Sequence, residues 1–210
     1  MHLERPPSGD GASPMAKTRG PKERRASGSS NVRMKALTAA SEVLATQGVE
    51  NLNLRAIAEA ADMGIASIYH YFENKEDILL NLALIGYERL TQDIEHYEPD
   101  APSPISGGAR AFFGFAERQP ALFALMFDEQ LMSRHETLRE AENAAFKAYE
   151  AVVEADGRIG PEHQAKAAFA LWALGRGMAS ILASYPDGRP PADVAEKLFK
   201  GAAYLLSTRA

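Results

Sequence analysis

Seven basic side chains crowd residues 17–35 (Lys17, Arg19, Lys22, Arg24, Arg25, Arg33 and Lys35), with Glu23 the single acid among them. Farther along, Ser67, Tyr69, His70 and Tyr71 stand close together, with Arg55 before them and Lys75 after. Hydroxyls, an imidazole and cations at this density suit hydrogen bonding to the phosphates of a polyanion and to base edges. Catalytic patterns are missing. The five histidines, at positions 2, 70, 96, 135 and 163, include no pair three or four apart, as helical metal ligation would need. No HExxH, GxSxG or GxxxxGK run occurs. Gly175-Arg176-Gly177-Met178-Ala179-Ser180 half-mimics a dinucleotide loop, but it sits inside a helical pattern with no strand before it. Cysteine is absent, which removes disulfides, thiolate nucleophiles, Cys-ligated zinc and iron–sulfur clusters. The chain is expected to bind rather than catalyse, with no metal and no cofactor.

Charge says where the binding belongs. The net charge of −5 taken whole disfavours a nucleic-acid partner. It is segregated, however: residues 1–75 hold ten basic and eight acidic side chains, a net +2, and residues 76–210 carry −7. A polyanion partner therefore belongs to the N-terminal third. Residues 1–30 are rich in Pro, Gly and Ser and read as a disordered basic arm. Such an arm either follows a DNA groove and adds counterion-release affinity, or only aids solubility. No apolar run follows its charges as in a signal peptide, and the lack of cysteine fits a reducing compartment, so a cytoplasmic location is expected.

The elements that must hold these groups are helices. Leu37, Ala40 and Leu44 recur at helical spacing from Asn31 onward, and Gly48 is placed to end that helix. A second helix reads from Leu54 to Ala61 behind the N-cap Asn53, Asp62-Met63-Gly64 forms a turn, and a third helix runs from Ile65 to Phe72. A fourth starts at Lys75 and continues toward Tyr97. After a Pro- and Gly-rich break over 98–108, helices follow at about 105–117, 120–127, 130–155, 161–184 and 192–207. Nothing alternates with period two. The fold class is all-α, with a three-helix head over 31–78 and a helical body over 79–210. The chain can bury roughly 70% of its unfolded surface, enough for a core without staples. Residues 167–183 are nearly all apolar, but Arg176 at their centre would cost about 3 kcal/mol in a bilayer, so a buried helix and no membrane partner are expected.

Residues 54–72 read as a helix–turn–helix whose second helix is short enough for a major groove. Ile57 and Ala61 face the first helix, Met63 plugs the turn, and Ile68 and Phe72 anchor the second helix. Spacing alone leaves a generic helical bundle with an exposed aromatic patch open. The wording of the segment goes further. Ile57-Ala58-Glu59-Ala60-Ala61, then Tyr69 to Phe72, then Lys75-Glu76 match in order and spacing the DNA-binding domain of TetR-family transcriptional regulators, which residues 31–80 resemble. Three departures stand out: Asp62 replaces a frequent Gly, Gly64 a commoner Ser or Thr cap, and Ile65 a frequently polar residue. The resemblance implies a double-stranded operator as partner, with Tyr69 and Lys75 on phosphates and Arg33, Lys35 and Arg55 as further phosphate candidates. Ser67 and His70 are then the base-edge readers, Ile65 and Ala66 offer only apolar contact such as thymine methyls, and Tyr71 either packs on the first helix or touches DNA.

In the same family the later helices bind a small-molecule effector and dimerise. Phe112, Phe115, Phe123, Met126, Phe127, Phe146, Tyr149 and Trp172 are the candidate effector residues here, though any of them also serves as plain core. The stretches Pro120 to Phe127 and Leu171 to Gly177 resemble a C-terminal subgroup in which a Trp is followed four residues on by His-Gly; Arg176 takes the place of that His. An arginine in an apolar helix needs an acid or a ligand carboxylate as its partner. One helix–turn–helix reads half a site, and specificity comes from two copies about 34 Å apart, so a homodimer is expected through 161–184 and 192–207. The implied function is a repressor released from its operator by a small apolar or amphipathic ligand. An all-α ligand-binding or scaffold protein without DNA binding is the alternative.

Overall fold

A computed structural model describes residues 21–97, 101–185 and 189–207, and every regular element among them is a helix. Helix α1 spans Pro21–Asn51 and is interrupted at Gly48, whose φ of 78° is a left-handed conformation that costs glycine little. The helix starts earlier than the boundary expected at residue 31. Pro21 fits a first helical turn, and the Lys, Glu, Arg and Ala that follow propagate a helix well. The rest of the arm lies outside the described residues.

The head continues with α2 (Leu54–Ala60) and α3 (Ile65–Tyr71), and α4 (Lys75–Glu95) leads into the body. The body holds α5 (Pro104–Arg118), α6 (Pro120–Met126), α7 (Glu129–Arg134), α8 (Glu136–Glu154), α9 (Pro161–Ala183) and α10 (Ala192–Ser207). Proline opens α5, α6 and α9, where its missing N–H costs no helical hydrogen bond. Asn53, Asn74, Ser103 and Asp128 cap their helices through side-chain oxygens.

The single helix expected over 130–155 is two. His135 is extended (φ −124°, ψ 106°) and separates α7 from α8. Arg139 Nη1 donates to the Met132 carbonyl at 2.9 Å, capping an acceptor that the interrupted helix leaves open. The extended backbone also delivers the His135 imidazole to Glu76 on α4, 2.9 Å away.

Helix α4 is the shared strut, packing on α1, α5, α6 and α8. One continuous hydrophobic cluster runs from Ala36 and Leu37 in α1, through Leu82 and Leu90 in α4, to Phe123, Val153 and Leu182 in the body. Tyr87 is buried at its middle and donates its hydroxyl to the Met126 carbonyl at 2.8 Å. Burial, reinforced by the Glu142 carboxylate, raises its phenol far above the usual value. No helix among the described residues is long and apolar enough to cross a membrane.

A buried carboxylate closes the far end of the body. Asp156 accepts hydrogen bonds from the Ile105 amide at the start of α5 (3.2 Å) and from the Arg158 amide, Nε and Nη2 (3.1, 2.8 and 2.7 Å). The Arg158 hydrogen bonds hold its carboxyl well below the ordinary value of 3.8. A depressed folded value means that this contribution to stability is complete above pH 3.8 and is lost as the pH falls below it. Asp156→Asn is expected to cost about 2 kcal/mol near neutral pH, or roughly 4–8 °C in Tm. Thermal unfolding followed by circular dichroism checks this, and the gap from the parent chain should narrow in acid below the ordinary carboxylate range.

Candidate nucleic-acid interface

The reading head is built from short-range rules. Asn53 Oδ1 accepts from the Arg55 and Ala56 amides at 3.1 and 3.0 Å and starts α2. The turn closes when the Met63 amide bonds the Ala58 carbonyl at 2.9 Å, with Asp62 left-handed at φ 48°. Aspartate tolerates that conformation better than most residues, so it can stand where the family often has glycine. Ile57, Ala61, Ile68 and Phe72 are buried, as their spacing implies, and Met63 is half-buried in the turn.

The opposite face of α3 is open. Ile65, Ala66, Ser67, Tyr69 and His70 all point outward, with Tyr69 61% and Ile65 42% exposed. Tyr71 is half-buried against the core, its ring edge-on to His70 at 4.9 Å. Lys35 and Arg55 are exposed on α1 and α2.

Two of the expected phosphate contacts are spoken for inside the chain. Arg33 is half-buried: its Nη2 donates to Asn81 Oδ1, and its guanidinium lies over the Phe72 ring, 5.4 Å from the centroid. Asn81 in turn donates to the Asp77 carbonyl and Oδ1 at 2.7 and 2.8 Å. Arg33 thereby binds α1 to α4 and backs the anchor of α3. Lys75 donates to the Val49 carbonyl at 2.6 Å, just past the break in α1. Its neighbour Glu76 accepts from Arg134 Nη1 at 2.8 Å and meets His135 Nε2 at 2.9 Å, clasping the head to the α7–α8 break. Sequence reasoning missed this clasp, since its partners lie 58 and 59 residues away.

The candidate effector residues do come together, where α5, α6, α8 and α9 meet. Phe112 stands edge-on to Phe123 and Trp172, both at 5.3 Å, and to Tyr149 at 6.2 Å. Phe123 also meets Phe115 at 6.3 Å and Phe127 at 5.2 Å, and half-buried Phe146 meets Trp172 at 5.6 Å. Met126 packs where Gly86 leaves room on α4. Burial raises the Tyr149 phenol above its usual value. Arg176 finds its acid in Glu142 on α8: Nη1 lies 3.3 Å from Oε1, which also accepts from Trp172 Nε1 at 3.3 Å. The Arg176 guanidinium sits over the Phe127 ring, 5.9 Å from its centroid. The side chains fill this region closely, for a Cβ on Gly175 would lie 2.2 Å from Phe112 Cζ. Open clefts run elsewhere, including one of about 260 Å³ between α1, α4 and α6 that is lined by Leu37, Ser41, Leu82 and Leu122.

Comparison with known proteins decides the family. Residues 36–82 match the bacterial regulatory proteins of the tetR family, and residues 105–203 match the tetracyclin repressor-like C-terminal domain. The chain belongs to the TetR family. It is 40% identical over 67 residues to the fatty acid metabolism regulator protein of Bacillus subtilis (strain 168), a match spanning 32% of this chain and 33% of that one. The chain thus aligns with about a third of the length of that curated relative. A Rhodococcus sp. RHA1 protein with unknown function superimposes with a TM-score of 0.63 at 27% identity, covering 83% of this chain and 93% of the other. The fatty acid degradation regulator FadR from Bacillus halodurans shares the fold with a TM-score of 0.60 at 18% identity, covering 90% and 96%.

Within this TetR-family head, Arg33 and Lys35 should behave differently when truncated. Arg33→Ala removes a cation–π contact and a hydrogen bond between α1 and α4, and is expected to cost about 1–2 kcal/mol, seen as a lower Tm. Lys35→Ala should stay within about 0.5 kcal/mol of the parent chain in the same melt.

Proposed function

We propose that the chain is a homodimeric transcriptional repressor that binds operator DNA through α3 and is released by a small amphipathic effector. The outward face of α3 carries this reading. Five adjacent or nearly adjacent side chains of a helix whose other face is locked by Ile68 and Phe72 are left exposed, including the large ones of Ile65 and Tyr69. Tyr69 supplies a hydroxyl to a phosphate, and Lys35 and Arg55 supply exposed cations. Lys75, half-buried at the start of α4 with its ammonium on the Val49 carbonyl, adds only its positive charge near the same backbone. A partner of this kind places the protein in the cytoplasm.

Dimerisation is supported by what α9 and α10 leave uncovered. Phe169 and Tyr204 are each 68% exposed, and Ile181 is also exposed. Burying such side chains on a symmetry mate is worth roughly 1.5–3 kcal/mol each. The effector would enter the aromatic cluster around Phe112 and Trp172, where Arg176 stands at the edge and can trade Glu142 for a ligand carboxylate. Two of the similar proteins are named for fatty acid regulation, which agrees with an apolar ligand carrying one acidic group. Such a ligand acts by preferring the state that does not bind DNA.

Fluorescence anisotropy with duplexes from around the chain's own gene tests the reading. Salt-sensitive binding is expected, and Arg55→Ala should weaken it on every sequence and reduce the slope of log K against log[salt] by about 0.9. No salt-sensitive binding to any duplex would leave an all-α ligand-binding protein instead. For the dimer, Phe169→Glu with Tyr204→Glu should shift sedimentation toward the monomer while leaving helix content unchanged.

A further inference from the structure

The face that α3 turns outward has an unusual chemistry for reading bases. The helix reads Ile65-Ala66-Ser67-Ile68-Tyr69-His70-Tyr71, with no Arg or Lys for guanine and no Asn or Gln for adenine. The nearby carboxamide of Asn53 is engaged in capping α2. Ser67 carries a hydroxyl that both donates and accepts, so it discriminates poorly among bases. His70, exposed in the last turn of α3, can offer a base edge a single hydrogen bond, but the first turn of the helix is apolar. Ile65 is 42% exposed, and Ala66 beside it is exposed as well. The approach to them is bare: Gly64 makes no side-chain cap, and a Cβ placed on it would meet nothing within 4 Å. An isoleucine left 42% exposed on a short helix, between a bare glycine and an exposed alanine, presents apolar surface that the core behind it does not use.

The one apolar group on a major-groove base edge is the C5-methyl of thymine. We infer that the operator half-site is selected chiefly through thymine methyl groups packed against Ile65 and Ala66, with Tyr69, Lys35 and Arg55 holding the backbone. The inference rests on the operator-binding reading above and names the sequence class that reading leaves open. The half-site carries thymine, on one strand or the other, under the first turn of α3. A bidentate guanine contact from that helix is absent.

Deoxyuridine isolates the methyl, since it keeps the base pairing and the O4 acceptor of thymine. A tight-binding duplex is first selected from a random pool, and each thymine of the half-site is then replaced singly by deoxyuridine. At one or two positions the affinity is expected to fall about threefold to fivefold, the factor for one buried methyl. Ile65→Ala should bind the thymine and deoxyuridine duplexes alike at one of those positions, and Ile65→Val should keep most of the difference. Ile65 is exposed, so circular dichroism should show both variants folded. If the chain binds the selected duplex but tolerates deoxyuridine everywhere, or if Ile65→Ala keeps the full difference, the methyl reading is wrong while operator binding stands. If no duplex binds, both fall together.

Discussion

The first turn of α4 is where the molecule is fastened, and three consecutive side chains do it in three directions. Lys75 reaches the Val49 carbonyl at the broken end of α1. Glu76 reaches Arg134 and His135 at the α7–α8 break. Asp77 accepts from the Glu73 amide at 3.2 Å and from Asn81, which carries Arg33 of α1. One helical turn spreads successive side chains about 100° apart, so neighbouring residues can serve different layers without competing. Asn74 caps the same turn through the Asp77 amide at 2.9 Å and sets its starting point. The head therefore inherits its orientation from α4, and α4 inherits its own from the body.

The body, in turn, is positioned by close packing more than by charge. Several glycines on its helices are there because a neighbour occupies the space a Cβ would need. Val152 Cγ1 would lie 2.8 Å from a Cβ on Gly108, Met126 Sδ 2.6 Å from one on Gly86, and the Phe112 ring still closer to one on Gly175. Interiors packed to this density transmit displacement because they cannot absorb it locally. A ligand entering among Phe112, Phe127 and Trp172 would have to move rings that already touch. The same rings lie against α4 through the Tyr87–Phe127 contact at 5.6 Å. The aromatic cluster and the strut are one layer apart.

How much of this was legible in the sequence follows the range of the interactions. The head was legible almost throughout, because Asn53, Asp62, Gly64 and the apolar spacing act within a few residues of themselves. The aromatic set of the body was also legible, since large apolar residues at helical spacing must meet somewhere. What sequence could not show is pairing at a distance. Arg33 read as a free cation because nothing near it in the chain reveals Asn81, 48 residues on. The acid for Arg176 proved to be Glu142, which local pattern does not single out from the other carboxylates of α8. The break at His135 was invisible for a related reason: its neighbours favour helix, and the contact with Glu76 that rewards an extended residue belongs to the tertiary fold. The early start of α1 is the opposite case, where propensity was present but the argument from burial outweighed it.

Magnitudes decide what the Glu76 clasp can do in the proposed repressor. Its partners are substantially exposed, the Arg134 side chain by 54% and Glu76 by 36%. Pairs of that kind contribute about 0–1 kcal/mol, and less in salt. Moving a two-state equilibrium tenfold takes about 1.4 kcal/mol, and inverting it from 1:99 to 99:1 takes about 5.5. The clasp alone therefore cannot drive release from an operator. It ties the first turn of α4 to the α7–α8 break. In the proposed repressor the free energy of switching would have to come from the effector's preference for one of the two states, expressed through the apolar contacts that α4 shares with α6 and α8.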